Sequence, residues 1–315
     1  MKRAALRSLL VLSSAGLFAQ SLDSLLQRVR NCHLPAEQRD ELVAAFSARD
    51  YSRAEAILER RSAAAGESPL AAELSALAGA IEFLHGRMAQ AAEAFRHSDS
   101  LAPLDDRDRF TWAMALVKAA DAGGARAQLT RLSAIHPSTP LYLYWLARLD
   151  YDQRRYAEAI EKLQRVIRLE PESSRAFDNL GLALDMVGRS DEAEPAFRKA
   201  VELNRKLPHP SAWPPHNLGA LLLRLQQFKE SENALRESLR YDPRLPIAHY
   251  HLGRVLDSEG RDDQAIDEYR AAATFEPMVI EALYSLGLVY RRHERKAEAD
   301  AAFAEYKMRK AQSSQ

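Results

Sequence analysis

Between Pro246 and Pro277 the apolar and small residues keep helical spacing twice. With Pro246 counted as position 1, His249, Leu252, Gly253 and Leu256 fall at positions 4, 7, 8 and 11, one stripe along a first helix. Ala265, Tyr269 and Ala272 fall at 20, 24 and 27 and form the matching stripe of a second helix. Glu259-Gly260-Arg261 predicts the turn between them, because glycine takes the left-handed conformation that ends a helix. Small residues at 8 and 20 let the two helices approach closely, and a ring at 24 fills the space beside that contact. Pro277 cannot continue a helix and stops the second one.

The same marks recur along most of the chain. Gly79, Ala113, Ala147 and Gly181 occupy position 8 on a 34-residue step. Ala91, Ala125, Ala159 and Ala193 follow at position 20, with Phe95, Leu129, Leu163 and Phe197 at 24 and Pro103, Pro137 and Pro171 at 32. Gly219, Gly253 and Gly287 continue the series after four extra residues. This pattern resembles the tetratricopeptide repeat, whose period is 34 residues. The resemblance implies an all-α, right-handed α-solenoid of about eight helical hairpins, built by stacking rather than by enlarging one core.

The expected organisation is four repeats over 72–207, a proline-rich insertion at 208–211 and three repeats over 212–313. Pro208, Pro210, Pro214 and Pro215 predict a stiff connection, with Pro214 and Pro215 in the first turn of the next helix. A degenerate repeat occupies 35–68, with Ala54 and Leu58 in register but Glu41 at position 7. Ahead of it, Leu22, Leu25, Leu26 and Val29 predict a short amphipathic helix within 20–34 that covers the open end of the array. In the last helix Phe303 and Tyr306 are expected to face inward.

Residues 1–19 have a secretory signal layout: Lys2, Arg3 and Arg7 precede an apolar run from Leu9 to Phe18 that ends in small residues. Cleavage after Ala19 or after Ala15 leads to an exported, periplasmic or secreted protein; an uncleaved N-terminal anchor is the alternative. Basic and acidic residues balance at 44 each, which excludes a strong electrostatic case for nucleic acid. Cys32 is the single cysteine, so no internal disulfide exists, and it reads as a half-buried small apolar residue.

The resemblance implies that positions 2, 5, 9 and 12 of the first helices line a concave groove, a second helical stripe beside the packed one. Position 5 reads Phe110, Tyr144, Asp178, His216, Tyr250 and Tyr284, while Asn179, Asn217 and His251 stand at position 6. Arg148 and Arg254 follow at 9 and Arg291 at 12. Tyr, Arg, His and Asn make adaptable contacts with polypeptide. The candidate groove residues are therefore Tyr144, Arg148, Asn179, His216, Asn217, Tyr250, Arg254, Tyr284 and Arg291, facing a protein or peptide partner. The same spacing also suits rings that pack between neighbouring first helices.

No phosphate loop, metal motif or nucleophile turn occurs, so no cofactor, metal ligand or catalytic residue is assigned. His249 and His251 are two apart and point to different faces of a helix, unable to share an ion. The Asp99–Asp108 stretch is expected to be a solvated junction with capping roles. A non-enzymatic protein-binding scaffold is the leading reading. The alternatives are a membrane-tethered assembly factor and a carbohydrate-binding or enzyme-associated module.

Overall fold

The computed structural model describes residues 22–275 and 279–313. Residues 1–19, read above as a signal, and Pro277 lie outside that range. All regular structure among the described residues is helical, in seventeen helices, and the fold is an all-α repeat solenoid. The chain forms two compact units that divide between Leu149 and Asp150.

The first unit holds α1 (Leu22–Asn31), α2 (Ala36–Ser47), α3 (Tyr51–Ala65), α4 (Pro69–Leu84), α5 (Met88–Leu101), α6 (Asp106–Lys118) and α7 (Ala122–Ile135). It also holds most of α8 (Pro140–Asp152), within which the division falls. Side-chain caps start four of these helices. Asp50, Ser68, Asp105 and Asp121 each accept from the amide three residues on, satisfying one donor that the first turn leaves open.

The Asp99–Asp108 junction departs from expectation. Asp105 caps as predicted, but Asp108 is 3% exposed and Arg109 2%. Arg109 donates to Asp99 at 2.6 Å and to Gln128 at 2.7 Å. Burial pushes the Asp99 carboxyl up, but the hydrogen bonds from Arg109 and the Leu104 amide outweigh it and hold the group below its ordinary range. Of the four charged residues that follow the cap, Asp106 and Arg107 stay partly exposed, while Asp108 and Arg109 turn inward and make a buried polar pair at the end of the junction. Cys32 is likewise fully buried rather than half-buried, and burial pushes its thiol up.

The second unit holds α9 (Tyr156–Leu169), α10 (Ser174–Met186), α11 (Ser190–Asn204), α12 (Trp213–Arg224), α13 (Phe228–Tyr241), α14 (Pro246–Ser258), α15 (Asp262–Phe275), α16 (Ile280–Arg292) and α17 (Lys296–Ser313). In each hairpin the small residue of the first helix meets the bulky residue of the second. A Cβ added to Gly253 would stand 2.7 Å from the Tyr269 ring, and one on Gly181 the same distance from Phe197. Tyr269 and Phe197 are each 1% exposed, so neither ring has room to retreat.

The turn between paired helices carries a second periodic feature. Positive φ recurs at Gly86, Ala120, Arg154 and Gly188, then at Gln226, Gly260 and Glu294, always at position 15. The backbone therefore imposes the left-handed conformation whatever residue stands there. Only three of these seven positions have the glycine that makes it free of strain.

The proline-rich insertion is held chiefly by a side chain. Asn204, fully buried, donates to the Ser211 carbonyl and accepts from the Ser211 amide, both at 2.8 Å. Arg205 adds a two-pronged pair with Glu237 at 2.8 and 2.6 Å. Pro214 and Pro215 lie in the first turn of α12, as their missing amides require.

Candidate functional site

In the second unit the first helices α10, α12, α14 and α16 follow one another, and position 5 and 6 side chains of α10, α12 and α14 form a hydrogen-bonded polar seam. The Asn217 amide donates to both oxygens of Asp178, at 3.0 and 3.1 Å. Its Oδ1 therefore faces His216 Nδ1, 3.0 Å away, and that nitrogen carries the proton. The remaining nitrogen of neutral His216 is an acceptor, so the 3.1 Å contact from His216 Nε2 to His251 Nδ1 is donated by His251. The two imidazoles lie nearly parallel, 5.1 Å apart. Burial lowers the His216 pKa to about 4, against the opposing hydrogen bond with Asn217. Burial, helped by His216 and by Arg254, lowers that of His251 to about 3. Both rings are neutral at physiological pH.

His249, two residues from His251, does the opposite. It faces α15 and gives Nδ1 to Glu268 at 2.6 Å and Nε2 to the Pro243 carbonyl at 3.0 Å. Burial opposes its charge, but these two acceptors win and raise its pKa. The two histidines do point to different faces of α14.

Beside the seam stands a row of braced rings. Tyr250 packs 6.1 Å from Tyr269, and the exposed Arg254 guanidinium lies 5.9 Å over the Tyr250 ring. Tyr284 is 46% exposed, with Phe303 at 5.6 Å and Tyr306 at 5.3 Å behind it. The Arg291 guanidinium lies 5.8 Å over Phe303. These rings present area to solvent while their rotamers are held by neighbours. Between Arg254, Arg224, Gln226, Phe228 and Ser258 lies a hollow of about 390 Å³.

The sequence-derived candidates therefore separate. Tyr250, Arg254, Tyr284 and Arg291 reach the surface of the second unit, whereas half-buried Asn217 belongs to the seam. His216 and Asn179 are corrections: they are 5% and 7% exposed and cannot face a groove. His216 is sandwiched against His251, and Asn179 donates to the carbonyl of Arg175 in its own helix at 2.8 Å. Tyr144 and Arg148, on α8 in the first unit, are half-buried, with Tyr144 edge-on to Trp145 at 5.9 Å. Arg224 and Arg292, the cations at position 13, are paired with Asp185 and Asp257 of the preceding first helices. Spacing alone gave no sign of that ladder. Among the described residues no group of three or more His, Cys, Asp or Glu is placed to hold a metal, and no helix is long and apolar enough to cross a membrane.

A fold of paired helices with position 8 pressed on position 24 defines a helical-repeat scaffold. The tetratricopeptide repeat model matches residues 110–165, 146–208 and 216–278, just over half of the chain, and the protein belongs to that family. It is 28% identical over 134 residues to the BBSome complex member BBS4 of Mus musculus, covering 42% of this chain and 25% of that protein. It is 40% identical over 60 residues to the type IV pilus assembly protein PilF of Pseudomonas aeruginosa, covering 18% of this chain and 24% of that one. The chain thus spans about a quarter of the length of these relatives. A tetratricopeptide repeat protein from Parabacteroides merdae has a similar fold, with TM-score 0.62 and 15% identity over 84% of this chain and 99% of its own.

Proposed function

We propose that this protein is a non-enzymatic scaffold that binds an extended or helical polypeptide segment on the first-helix face of its second unit. The observation that carries the reading is the braced, solvent-facing set of Tyr250, Arg254, Tyr284 and Arg291. Rings already immobilised by Tyr269, Phe303 and Tyr306 lose little freedom on binding, and that lowers the ordering cost of association. The guanidiniums supply the charge to meet ligand carboxylates. The N-terminal signal layout supports export to the periplasm or beyond.

The experiment is a peptide array probed with the full-length protein, alongside Tyr284→Ala and Arg254→Ala. The expected result is capture that weakens at least about ten-fold in the variants, a loss of roughly 1.4 kcal/mol, with unchanged melting. Loss of melting together with capture would show that these side chains serve packing instead. A sugar array run in parallel tests the carbohydrate alternative. A second reading, a membrane-tethered assembly factor, rests on the apolar run Leu9 to Phe18 and on the likeness to PilF. Cofractionation with membranes after a salt wash would favour it.

A further inference from the structure

The first unit presents the same kind of face, but that face is covered. Helix α1 was expected to cap the open end of the array. It packs on α2 of the end hairpin and runs on to α4, the first helix of the next hairpin, reaching a third first helix through one ion pair. Arg28 donates from both terminal nitrogens to the two oxygens of Asp108 on α6, at 2.8 and 2.5 Å. Leu25 and Val29, one turn apart, are fully buried, and Arg28 stands between them at the third position. The following segment is tied by the His33 amide, which donates to Glu73 of α4 at 3.2 Å. Beside α1 a cleft of about 600 Å³ remains open, with Gln27 and Asn31 on one wall and Glu73, Ala76 and Arg107 on the other.

The two sides of this contact differ in what holds them. α4 and α6 are each packed on their own hairpin partner, α5 and α7, independently of α1. α1 has ten residues, too short to stay helical alone in water, so its order depends on docking. Asp108, 3% exposed, is a buried carboxylate that needs a cation; a bidentate guanidinium meets that need. The arrangement is a ligand helix in a preformed groove, joined to its receptor by the short link to α2.

We propose that the first-helix face of the first unit is a receptor for a basic amphipathic helix, and that α1 is its tethered resident. The helix it accepts carries an apolar pair at i and i+4 with arginine at i+3, the pattern of Leu25, Arg28 and Val29. A partner helix of that chemistry binds only by displacing α1. This is independent of the ligand face assigned to the second unit.

The test uses full-length protein and a fluorescent peptide of residues 22–34. Arg28→Glu sets two carboxylates against each other and releases α1. The peptide is expected to bind this variant at least about ten-fold more tightly than wild type. The charge-swapped pair Arg28→Glu with Asp108→Arg is expected to re-dock α1 and lose the peptide again. Equal binding to wild type and Arg28→Glu, or none to a folded Arg28→Glu, overturns the proposal. If Arg28→Glu fails to fold, hydrogen exchange on wild type decides. Faster exchange of α1 amides than of α4 and α6 supports a resident ligand, and equal slow exchange overturns it.

Discussion

His216 Nε2 accepts a hydrogen bond from His251 Nδ1 across 3.1 Å, with the two rings stacked on neighbouring first helices. The bond in this direction requires His216 Nε2 to carry no proton. A proton on His216 Nε2 sets two donors face to face, and protonating both rings sets two cations face to face in a desolvated seam.

This sets a pH dependence. The pKa values of His216 and His251 fall from the ordinary 6.5 to about 4 and about 3 on folding, so the unfolded chain binds more protons at acid pH. Their neutral burial is without penalty above about pH 6.5, and stability is lost as pH falls from there toward 4, on the order of a few kcal/mol for the pair. The raised pKa of His249 acts with the opposite sign, adding stability below its unfolded value that fades as pH rises through the folded one. Melting temperature between pH 7 and pH 4.5 is expected to drop more steeply for wild type than for His251→Gln, in which one titrating ring is gone. Parallel curves would show that other groups dominate acid unfolding.

Gly253→Ala is expected to destabilise by about 1–3 kcal/mol, because the new methyl would overlap the Tyr269 ring, which is walled in. Combining it with Tyr269→Leu should recover part of that loss, and a double-mutant cycle in urea measures the coupling. Purely additive effects would mean that the two side chains do not meet.

Gln226→Gly is expected to stabilise by up to about 1 kcal/mol. Gln226 sits at φ 60, where a side chain is strained and glycine is not. A raised urea midpoint with unchanged slope checks it.

Asn204→Ala removes both hydrogen bonds that close the segment from Asn204 to Ser211. A loss of about 2 kcal/mol is expected, together with faster hydrogen exchange at the Ser211 amide. Unchanged exchange there would mean that the prolines alone hold the insertion.

The hairpins were legible because their contacts are written at short range. Gly253 and Tyr269 are 16 positions apart, and helical periodicity alone carries one to the other. The left-handed turn has a residue signal at Gly86, Gly188 and Gly260; Ala120, Arg154, Gln226 and Glu294 adopt the same conformation without one. The candidate face was partly legible: Tyr284 and Arg254 emerged at the surface, whereas His216 disappeared into a stack.

By itself, then, the sequence determined the repeat length, the helix pairs and the small-against-large contact inside each hairpin, since all three follow from spacing along one chain segment. Tertiary structure decided which side chains of successive hairpins meet: His216 with His251, Asp178 with Asn217, and Arg28 with Asp108 eighty residues away. Those meetings depend on how far each hairpin turns and slides on the one before. Whether a residue of the right type at the right position ends in solvent or against its neighbour is decided by lateral packing, which no periodicity encodes.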